Sequence, residues 1–391
     1  MRRGLAVPLL VALALRLAAL AATDRVVADV ARYEKVALHL LDVSWNPYET
    51  QRLYPYPPPW AAAEAAAGWL ARRGVLPFPV AVKLPVLAAD LLIVALLAAA
   101  ARAGRAPALA PWLYAVHPLS LLVGSCHGQF DAVALVFVLL ALEALARGQR
   151  DASALALAGA IAMKSFPVLL LPFLALERGA SWRQAARYAA LAAAPVALLL
   201  LPFALADARS LARELLAYSG IADFGWVGLA RGVRWWTSGA LARSEARFWP
   251  VAAPVAKALF LAAWAALLIA IRSGRLRLAA ERSCLAVVLA FLTFYGLLSA
   301  QYLLWAVPLG LLRPGRHGAA YATAATAGLV GFYLFLAPGV LWPEPLGGVA
   351  LERAGRLWVL GLAATLGASA AWLVATLREG REGLRAATDA T

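Results

Sequence analysis

A polar segment near the N-terminus contains residue types that can do acid–base chemistry. The segment TDRVVADVARYEKVALHLLDVSWNPYETQRLYPYPPPW places Asp24 and Asp29 five residues apart, with Arg32 and Tyr33 three and four residues after Asp29. Side chains at these spacings share one side of a short helix. An aspartate in such a polar group can accept a proton from a hydroxyl nucleophile, and Asp29 is the candidate here. A solvated aspartate paired with Arg32 fits the same residues.

Asp29 is the predicted catalytic acid–base residue, and Asp24 and Asp131 are kept as second acids. Asp24 lies closer to the end of the first apolar run, where it can pair with Arg25. Residues five apart are about 140° apart around an ideal helix, so Asp24 and Asp29 could share a metal only if the backbone is not helical there. The sequence thus identifies no certain cofactor and leaves a divalent metal open.

Two later positions carry polar groups inside apolar surroundings. His127 and Gln129 lie in the segment CHGQFD, which ends at Asp131; they can bind sugar hydroxyls or simply cap a turn. Lys164 interrupts the apolar stretch 152–176. Because a lone charge in lipid is costly, its ammonium is expected to face a phosphate or a buried carboxylate. Asp90 is the expected structural counter-ion of either Lys164 or Arg16.

The composition indicates a membrane protein. Hydrophobic residues make up 63% of the chain, and only 15% are charged, which lies far outside the balance of soluble domains. The net charge of +15 comes from basic residues scattered in ones and twos, so it argues against nucleic-acid binding. It fits the bias of basic residues toward cytoplasmic loops.

Apolar runs long enough to cross a bilayer lie near 5–22, 84–101, 108–126, 131–147, 186–206, 251–271, 283–299, 319–337 and 356–377. The stretch 152–176 is expected to form two short helices that meet at Lys164, and 301–313 is also short. The predicted fold is therefore an all-α, polytopic membrane helix bundle with about 12 membrane helices. The first run also resembles a signal peptide, but an uncleaved helix makes the span count consistent.

The basic residues predict the orientation. Short turns on the side of the N-terminus hold Arg2, Arg3, Arg102, Arg105, Arg147, Arg150, Arg178, Arg183, Arg187, Arg272, Arg275, Arg277, Arg282, Arg313, Arg316, Arg378, Arg381 and Arg385. Short basic loops are usually cytoplasmic, so both termini are expected inside. Cys126 and Cys284 then lie at opposite faces, which excludes a disulfide between them.

Two long segments, 23–83 and 207–250, are predicted on the outer side. Within them, 61–73 and 208–218 have helical periodicity but too little apolar length to span, so they are expected to lie on the membrane surface. The run from Tyr54 to Trp60 cannot be regular helix, because three successive prolines remove backbone donors. No separate soluble domain is predicted, and residues 1–391 are expected to form a single transmembrane domain.

The order of several short motifs resembles a known family. The motifs are ADVARYEKVA, NPYETQRLYPYPPPW, KLPVLAADLL, HPLSLLVGSCHGQFDAVAL, MKSFPVLLLPF and SAQYLLWAVPL. Their order at the matching membrane edges resembles the GT-C superfamily of polyprenyl-phosphate-sugar-dependent glycosyltransferases, particularly the prokaryotic and phosphatidylinositol-anchor mannosyltransferase-like members. The resemblance covers most of the chain.

The resemblance implies roles for individual residues. Asp29 matches the catalytic aspartate of the first loop, although the wide spacing from Asp24 departs from the closely spaced acidic pair of some members. The implied substrate-binding residues are Arg32, Tyr33, Tyr54, His127, Gln129, Lys164, Gln301 and Tyr302. Asp131 belongs to the same second-loop motif as His127 and Gln129.

The implied reaction is an inverting transfer of a hexose, with mannose favoured, from a polyprenyl-phosphate donor to a hydroxyl of a lipid, glycan or protein. It would take place at the outer face of the plasma membrane. The departing lipid phosphate needs a cation, for which Lys164, Arg32 and either Arg231 or Arg234 are candidates. The alternative is a multi-pass lipid flippase or transporter, which commonly has internal symmetry; the sequence has no matched halves.

Overall fold

The computed structural model describes residues 3–50, 54–177, 179–216 and 220–388. Its α-helices are α1 Arg3–Ala22, α2 Ala28–Asp42, α3 Pro59–Arg72, α4 Phe78–Arg102, α5 Ala110–Ala115, α6 Pro118–Ser120, α7 Asp131–Ala146, α8 Arg150–Met163, α9 Leu171–Ala175, α10 Trp182–Leu216, α11 Gly225–Ser238, α12 Ala252–Arg272, α13 Ala280–Phe294, α14 Ala306–Leu311, α15 Arg316–Phe335 and α16 Gly348–Thr388. Within the described ranges, extended pairing is limited to two isolated bridges. The all-α class is confirmed. The predicted turn residues Arg2 and Arg178, the motif residues 51–53 and the end of the predicted helix 208–218 lie outside the described residues.

Among the residues that the structure describes, six helices are long and apolar enough to cross a membrane. They are α1 from Leu5, α4, α10, α12, α15 and α16 up to Glu382. Each coincides with a predicted span. The other predicted spans fall on shorter helices, such as α7 with 16 residues and α13 with 15. The total of about twelve membrane helices therefore stays a prediction.

The break at Lys164 forms as predicted. Helix α8 ends at Met163, and Lys164 has extended backbone angles, φ −153° and ψ 140°. The chain then continues as a 3₁₀ helix over Phe166–Leu170, followed by the short α9. Pro167 lacks the backbone N–H that an uninterrupted α-helix would need, and the interruption leaves Lys164 at a helix end.

The two predicted surface helices are both helical. Pro59 is the first residue of α3, a position that suits proline because the first N–H of a helix has no partner. Asp207 has non-helical angles inside α10, φ −157° and ψ 87°, so the part from residue 208 onward follows a kink. Their position on a membrane surface stays a prediction.

The chain forms two compact units, each made of separate sequence segments. Unit 1 comprises residues 1–171, 186–218 and 337–345, and unit 2 comprises 172–185, 219–336 and 346–391. In unit 2, α15 and α16 approach closely through glycine: a Cβ on Gly331 would lie 2.2 Å from the backbone nitrogen of Trp358. Small residues permit such close helix contacts in membranes. The single transmembrane domain stays a prediction.

In unit 1, a buried ion pair joins the first helix to the others. The Nε of Arg16 lies 2.9 Å from Asp90 Oδ2, and both side chains are fully buried. Arg16 also donates to Ser120 Oγ at 2.7 Å and to the Ala115 carbonyl at 2.9 Å, while Tyr114 donates to the other oxygen of Asp90. Asp90 is thus the counter-ion of Arg16. These contacts fix α1 against α4 and α5. That α1 is not cleaved stays a prediction.

Candidate active site

Asp29 lies in the first turn of α2. Val27 before it is extended, and Ala28 has φ 49°, in the left-handed region that residues with a Cβ seldom adopt. This backbone change starts the helix directly before the carboxylate. The partial positive charge at a helix N-terminus favours an ionised aspartate there.

His127 and Gln129 are held by a tight loop between two helices. A wide helical turn over Leu121–Cys126 ends with His127 N–H donating to the Leu122 carbonyl, five residues back. Gly128 then has φ +84°, and a Cβ on it would lie 3.0 Å from Val30 and 3.1 Å from Lys83. Only glycine satisfies both the backbone angle and the space. The loop thus places His127 and Gln129 beside the start of α2.

The loop and α2 meet at the Asp29 carboxylate. His127 Nε2 lies 3.1 Å from Asp29 Oδ2, and Gln129 Nε2 donates to the same oxygen. Arg32 is farther away, 3.9 Å from Oδ1, and its side chain is 51% exposed. Asp29 itself keeps 24% of its side chain accessible. The carboxylate is therefore held mainly by the second loop, and its pairing with Arg32 is secondary.

These neighbours keep Asp29 ionised. Burial raises the pKa of this carboxyl. The hydrogen bond and charge of His127, the charge of Arg32 and the hydrogen bond from Gln129 together outweigh burial, and they lower the pKa from 3.8 to about 2. At neutral pH the group is thus an oriented anion, and about a quarter of its side chain stays accessible.

Lys164 forms an ion pair with Asp131, the first residue of α7. Its Nζ lies 2.5 Å from Asp131 Oδ2, and both side chains are buried. The same ammonium is 3.5 Å from Gln129 Oε1. Gln129 therefore bridges the two charged groups, since its amide nitrogen contacts Asp29 and its oxygen faces Lys164. Lys164 was expected to face either a phosphate or a buried carboxylate, and in the structure it pairs with the buried carboxylate of Asp131.

An aromatic cluster, formed by Tyr33, Tyr56, Trp60 and Phe130, lines this group. Trp60 stacks on Phe130 with ring centroids 4.1 Å apart, and Tyr56 and Tyr33 meet Phe130 edge-on at 4.8 and 6.2 Å. Lys164 Nζ lies 4.7 Å from the Phe130 centroid. A ring face attracts a cation at such distances. The cluster thus adds a cation–π contact to the ion pair that Lys164 forms with Asp131.

A second buried cation, Lys83, was not predicted as a site residue. Its Nζ donates to the Thr23 carbonyl at 2.7 Å, the Cys126 carbonyl at 2.8 Å and Thr23 Oγ1 at 3.2 Å. All three acceptors are neutral. Lys83 lies in the motif KLPVLAADLL, near the start of a long apolar helix. This position could have indicated a buried cation, because a lysine there needs oxygen partners.

The remaining predicted residues fall in different surroundings. Asp24 is exposed, and Arg25 donates to the carbonyls of Gly339 and Ala22. Tyr54 is fully buried; its hydroxyl donates to the Pro57 carbonyl and accepts from Ala61 N–H. Tyr33 is also buried. We therefore assign Tyr33 and Tyr54 to the framework of the site and propose no direct substrate contact for them.

Four other candidates belong to unit 2. Gln301 and Tyr302 lie in a 3₁₀ helix over Ala300–Leu304, and the Tyr302 ring packs against Trp305 at 4.4 Å. Arg231 is buried and pairs with Asp223 at 3.0 Å, whereas Arg234 is exposed. Their participation in the reaction stays a prediction.

Among the described residues, no group of three or more His, Cys, Asp or Glu side chains is arranged to hold a metal ion. Both Cys126 and Cys284 are free thiols, as predicted.

Comparisons with known proteins add one match that bears on the family. Residues 31–180 match the family model described as Alpha-(1->6)-mannopyranosyltransferase, N-terminal domain. The match includes His127, Gln129, Asp131 and Lys164 and begins just after Asp29. None of the curated proteins compared matches the chain.

A solved structure, ArnT from Cupriavidus metallidurans bound to undecaprenyl phosphate, is 16% identical with a TM-score of 0.42, covering 96% of this chain and 77% of that one. That likeness is too weak to support an inference. Over residues 31–180, the family-model match agrees with the mannosyltransferase-like resemblance that the motifs indicate, and it supports glycosyltransferase activity.

Proposed function

We propose that this protein transfers a hexose, with mannose favoured, from a polyprenyl-phosphate donor to an acceptor hydroxyl at the outer face of the plasma membrane. The observation that carries the proposal is the Asp29 carboxylate, held ionised by His127 and Gln129 and joined through Gln129 to the Lys164–Asp131 pair. Mannose is favoured because the matching family model describes a mannopyranosyltransferase domain.

The proposed step is a direct displacement at the anomeric carbon. The acceptor oxygen forms a bond to that carbon as the bond to the donor phosphate oxygen breaks. The electron pair of the broken bond leaves with the polyprenyl phosphate, and the acceptor proton passes to Asp29. Attack opposite the leaving group inverts the anomeric configuration.

The low pKa of Asp29 determines when the proton moves. A base whose pKa is about 2 is too weak to remove a proton from a free alcohol. The alcohol becomes strongly acidic as its oxygen bonds to the electron-poor anomeric carbon, so the proton transfers late in the displacement. Before that point, Asp29 orients the hydroxyl by accepting its hydrogen bond.

Three basic residues differ in how they can stabilise the negative charge of the donor phosphate. Arg32 is suited to direct contact, because its side chain is half-exposed and lies beside Asp29. Lys164 is neutralised by Asp131 and enclosed, so it acts through the network that fixes Gln129. Lys83, whose oxygen partners are neutral, adds buried positive charge near the loop. Such fixed charge stabilises negative charge that develops on a leaving group.

The experiment uses the full-length protein reconstituted in liposomes. Polyprenyl-phosphate mannose or glucose with a labelled sugar is supplied together with a lipid extract or a soluble oligosaccharide as acceptor. We expect label to move from the mannosyl donor to acceptor with inverted anomeric configuration, which NMR of the product determines. Folded wild-type protein that leaves the label on both donors, with every acceptor pool, would contradict the proposal.

A further inference from the structure

Glu64 is a buried carboxyl group that the proposed reaction does not use. It lies in α3, which contacts α2, α4 and α8, and its side chain is fully buried. Within the described part of the chain, neither of its carboxyl oxygens completes a hydrogen bond. The Trp60 indole nitrogen and the Tyr33 hydroxyl are buried without a hydrogen-bond partner in the same way.

These three groups lie close together. Trp60 lies one helical turn before Glu64, and its N–H is close enough to lower the pKa of the carboxyl, though without the geometry of a full hydrogen bond. Tyr33 enters from α2, and its ring meets the Trp60 ring edge-on at 5.9 Å. The charge of Glu64 acts on the hydroxyls of both Tyr33 and Tyr54.

The surroundings favour the neutral form of Glu64. Burial raises its pKa well above 4.5, against a smaller lowering by Trp60. The other acids that act on Tyr33 are Tyr56, Asp29 and Asp131, all of the same sign when ionised. No charged side chain of α4 or α8, among the described residues, offsets the cost of ionising Glu64. A buried carboxylate without a counter-ion is strongly unfavourable.

Aromatic rings connect Glu64 to the charged groups on either side of Gln129. Trp60 stacks on Phe130, and the Phe130 ring supports Lys164 Nζ at 4.7 Å. Tyr33 lies one turn after Asp29 on α2. A change at Glu64 therefore reaches the groups on both sides of Gln129, although Glu64 touches neither Asp29 nor Lys164 in any described contact.

We propose that Glu64 is a positioning residue that works in its protonated form. One carboxyl oxygen accepts a hydrogen bond from the Trp60 indole, and the proton on the other is donated to the Tyr33 hydroxyl. This arrangement gives all three buried groups a hydrogen-bond partner and fixes both rings against Phe130. It deepens the proposed function and rests on it only where transfer activity is the readout.

The test compares Glu64→Gln, which is neutral and still forms hydrogen bonds, with the apolar Glu64→Leu. The first readout is infrared spectroscopy of the purified protein at neutral pH. We expect the carbonyl band of a protonated carboxylic acid in the wild type to lose intensity in Glu64→Gln. Hydrogen exchange of α2 and α3 should match the wild type in Glu64→Gln and be faster in Glu64→Leu. Neither measurement needs a substrate.

The second readout is the melting temperature against pH. The folded pKa exceeds the unfolded value of 4.5, so between the two values the folded state holds a proton that the unfolded state has lost. Wild-type stability must then fall as pH rises through that window. Glu64→Gln has no such proton, so its melting temperature relative to the wild type should increase from about pH 5 to pH 8, the direction that linkage requires.

The third readout is transfer activity. We expect Glu64→Gln to keep turnover within about threefold of the wild type, and Glu64→Leu to lose about tenfold or more, since it leaves two buried polar groups without a partner. Equal infrared spectra in wild type and Glu64→Gln would overturn the protonated state. Equal hydrogen exchange and turnover in Glu64→Leu and wild type would overturn the positioning role. If the wild type has no transfer activity, the infrared and exchange results still decide.

Discussion

His127 Nε2 lies 3.1 Å from Asp29 Oδ2, which joins the start of α2 to the loop before α7. The contact gives the carboxylate a fixed direction and, with Gln129, lowers its pKa to about 2. Asp29 is thus ionised at every pH at which the protein is expected to work. In the proposed reaction, the contribution of Asp29 therefore depends on its orientation more than on its basicity.

Replacing Asp29 tests this directly. Asp29→Asn keeps the size of the side chain and removes the group that takes the proton, so turnover should fall by about 10²–10⁴-fold. Because Asp29 titrates only near pH 2, the loss should be similar across pH 5 to 8. The measurement is kcat from the labelled-donor assay.

Asp24→Asn is the matched control for Asp29→Asn. Asp24 is exposed and is not among the residues that contact Asp29. Surface substitutions usually disturb a protein little, so its replacement should change turnover by less than about threefold. Near-normal turnover in folded Asp29→Asn would remove Asp29 from the mechanism and make Asp131 the next candidate.

Replacing His127 should change the acid limb of the activity profile. His127→Gln removes the hydrogen bond and the charge of His127, which are the two largest effects that lower the pKa of Asp29. Burial, which raises this pKa, is then opposed by fewer interactions. The pKa of Asp29 must then rise from about 2, so activity should begin to fall at higher pH than in the wild type. The measurement is kcat against pH from about 3.5 to 7.

The comparison for His127→Gln is Arg32→Gln, whose longer distance of 3.9 Å and half-exposed side chain predict a smaller shift of the same limb. Identical acid limbs in wild type and His127→Gln would show that the His127 contact does not set the state of Asp29.

The sequence singled out several of the polar groups that the structure brings together around Asp29, but it showed only in part how they pair. Intramembrane charge is costly, so Lys164 and Asp131 could be singled out, and the break after Met163 follows from Pro167. From the sequence, Arg32 was the expected partner of Asp29, because spacing along a helix is visible in a sequence and a contact across 100 residues is not.

Other features depend on packing that a single sequence does not reveal. Glu64 stands in an alanine-rich stretch that is typical of a surface helix, so nothing in its neighbours indicates full burial. Lys83 belongs to a quoted motif, but its partners are backbone carbonyls of Thr23 and Cys126, which carry no sequence signal. The framework position of Tyr54 follows from the hydrogen bonds of its hydroxyl with the Pro57 carbonyl and the Ala61 N–H, which also appear only in three dimensions.

The orientation in the membrane can be tested by cysteine labelling in cells. In a background in which Cys126 and Cys284 are replaced by serine, a membrane-impermeant maleimide added from outside should label Ser44→Cys. It should miss Ser273→Cys, which follows α12, until the membrane is permeabilised. The reason is that the short basic turns belong inside. Labelling of Ser273→Cys alone in intact cells would reverse the orientation and place Asp29 on the cytoplasmic side.

Whether the Lys164–Asp131 pair acts in the reaction or only in stability can be tested with a double variant. Lys164→Ala leaves the buried Asp131 carboxylate without its cation, which costs about 3–5 kcal/mol. The single variant should therefore lose thermal stability as well as activity, so it cannot isolate a role in the reaction. Lys164→Met combined with Asp131→Leu removes both charges and should restore most of the stability, since apolar replacements of buried pairs are often neutral.

Activity of that double variant then decides what the pair does. If the pair fixes Gln129 and adds positive charge beside Phe130, turnover should remain at least about tenfold below the wild type despite recovered stability, the loss expected for one charge-assisted hydrogen bond. The measurements are the melting temperature and kcat of wild type, both single variants and the double variant. Wild-type turnover in the stable double variant would make the pair purely structural, and the cation for the donor phosphate would then be sought at Arg32 and Lys83.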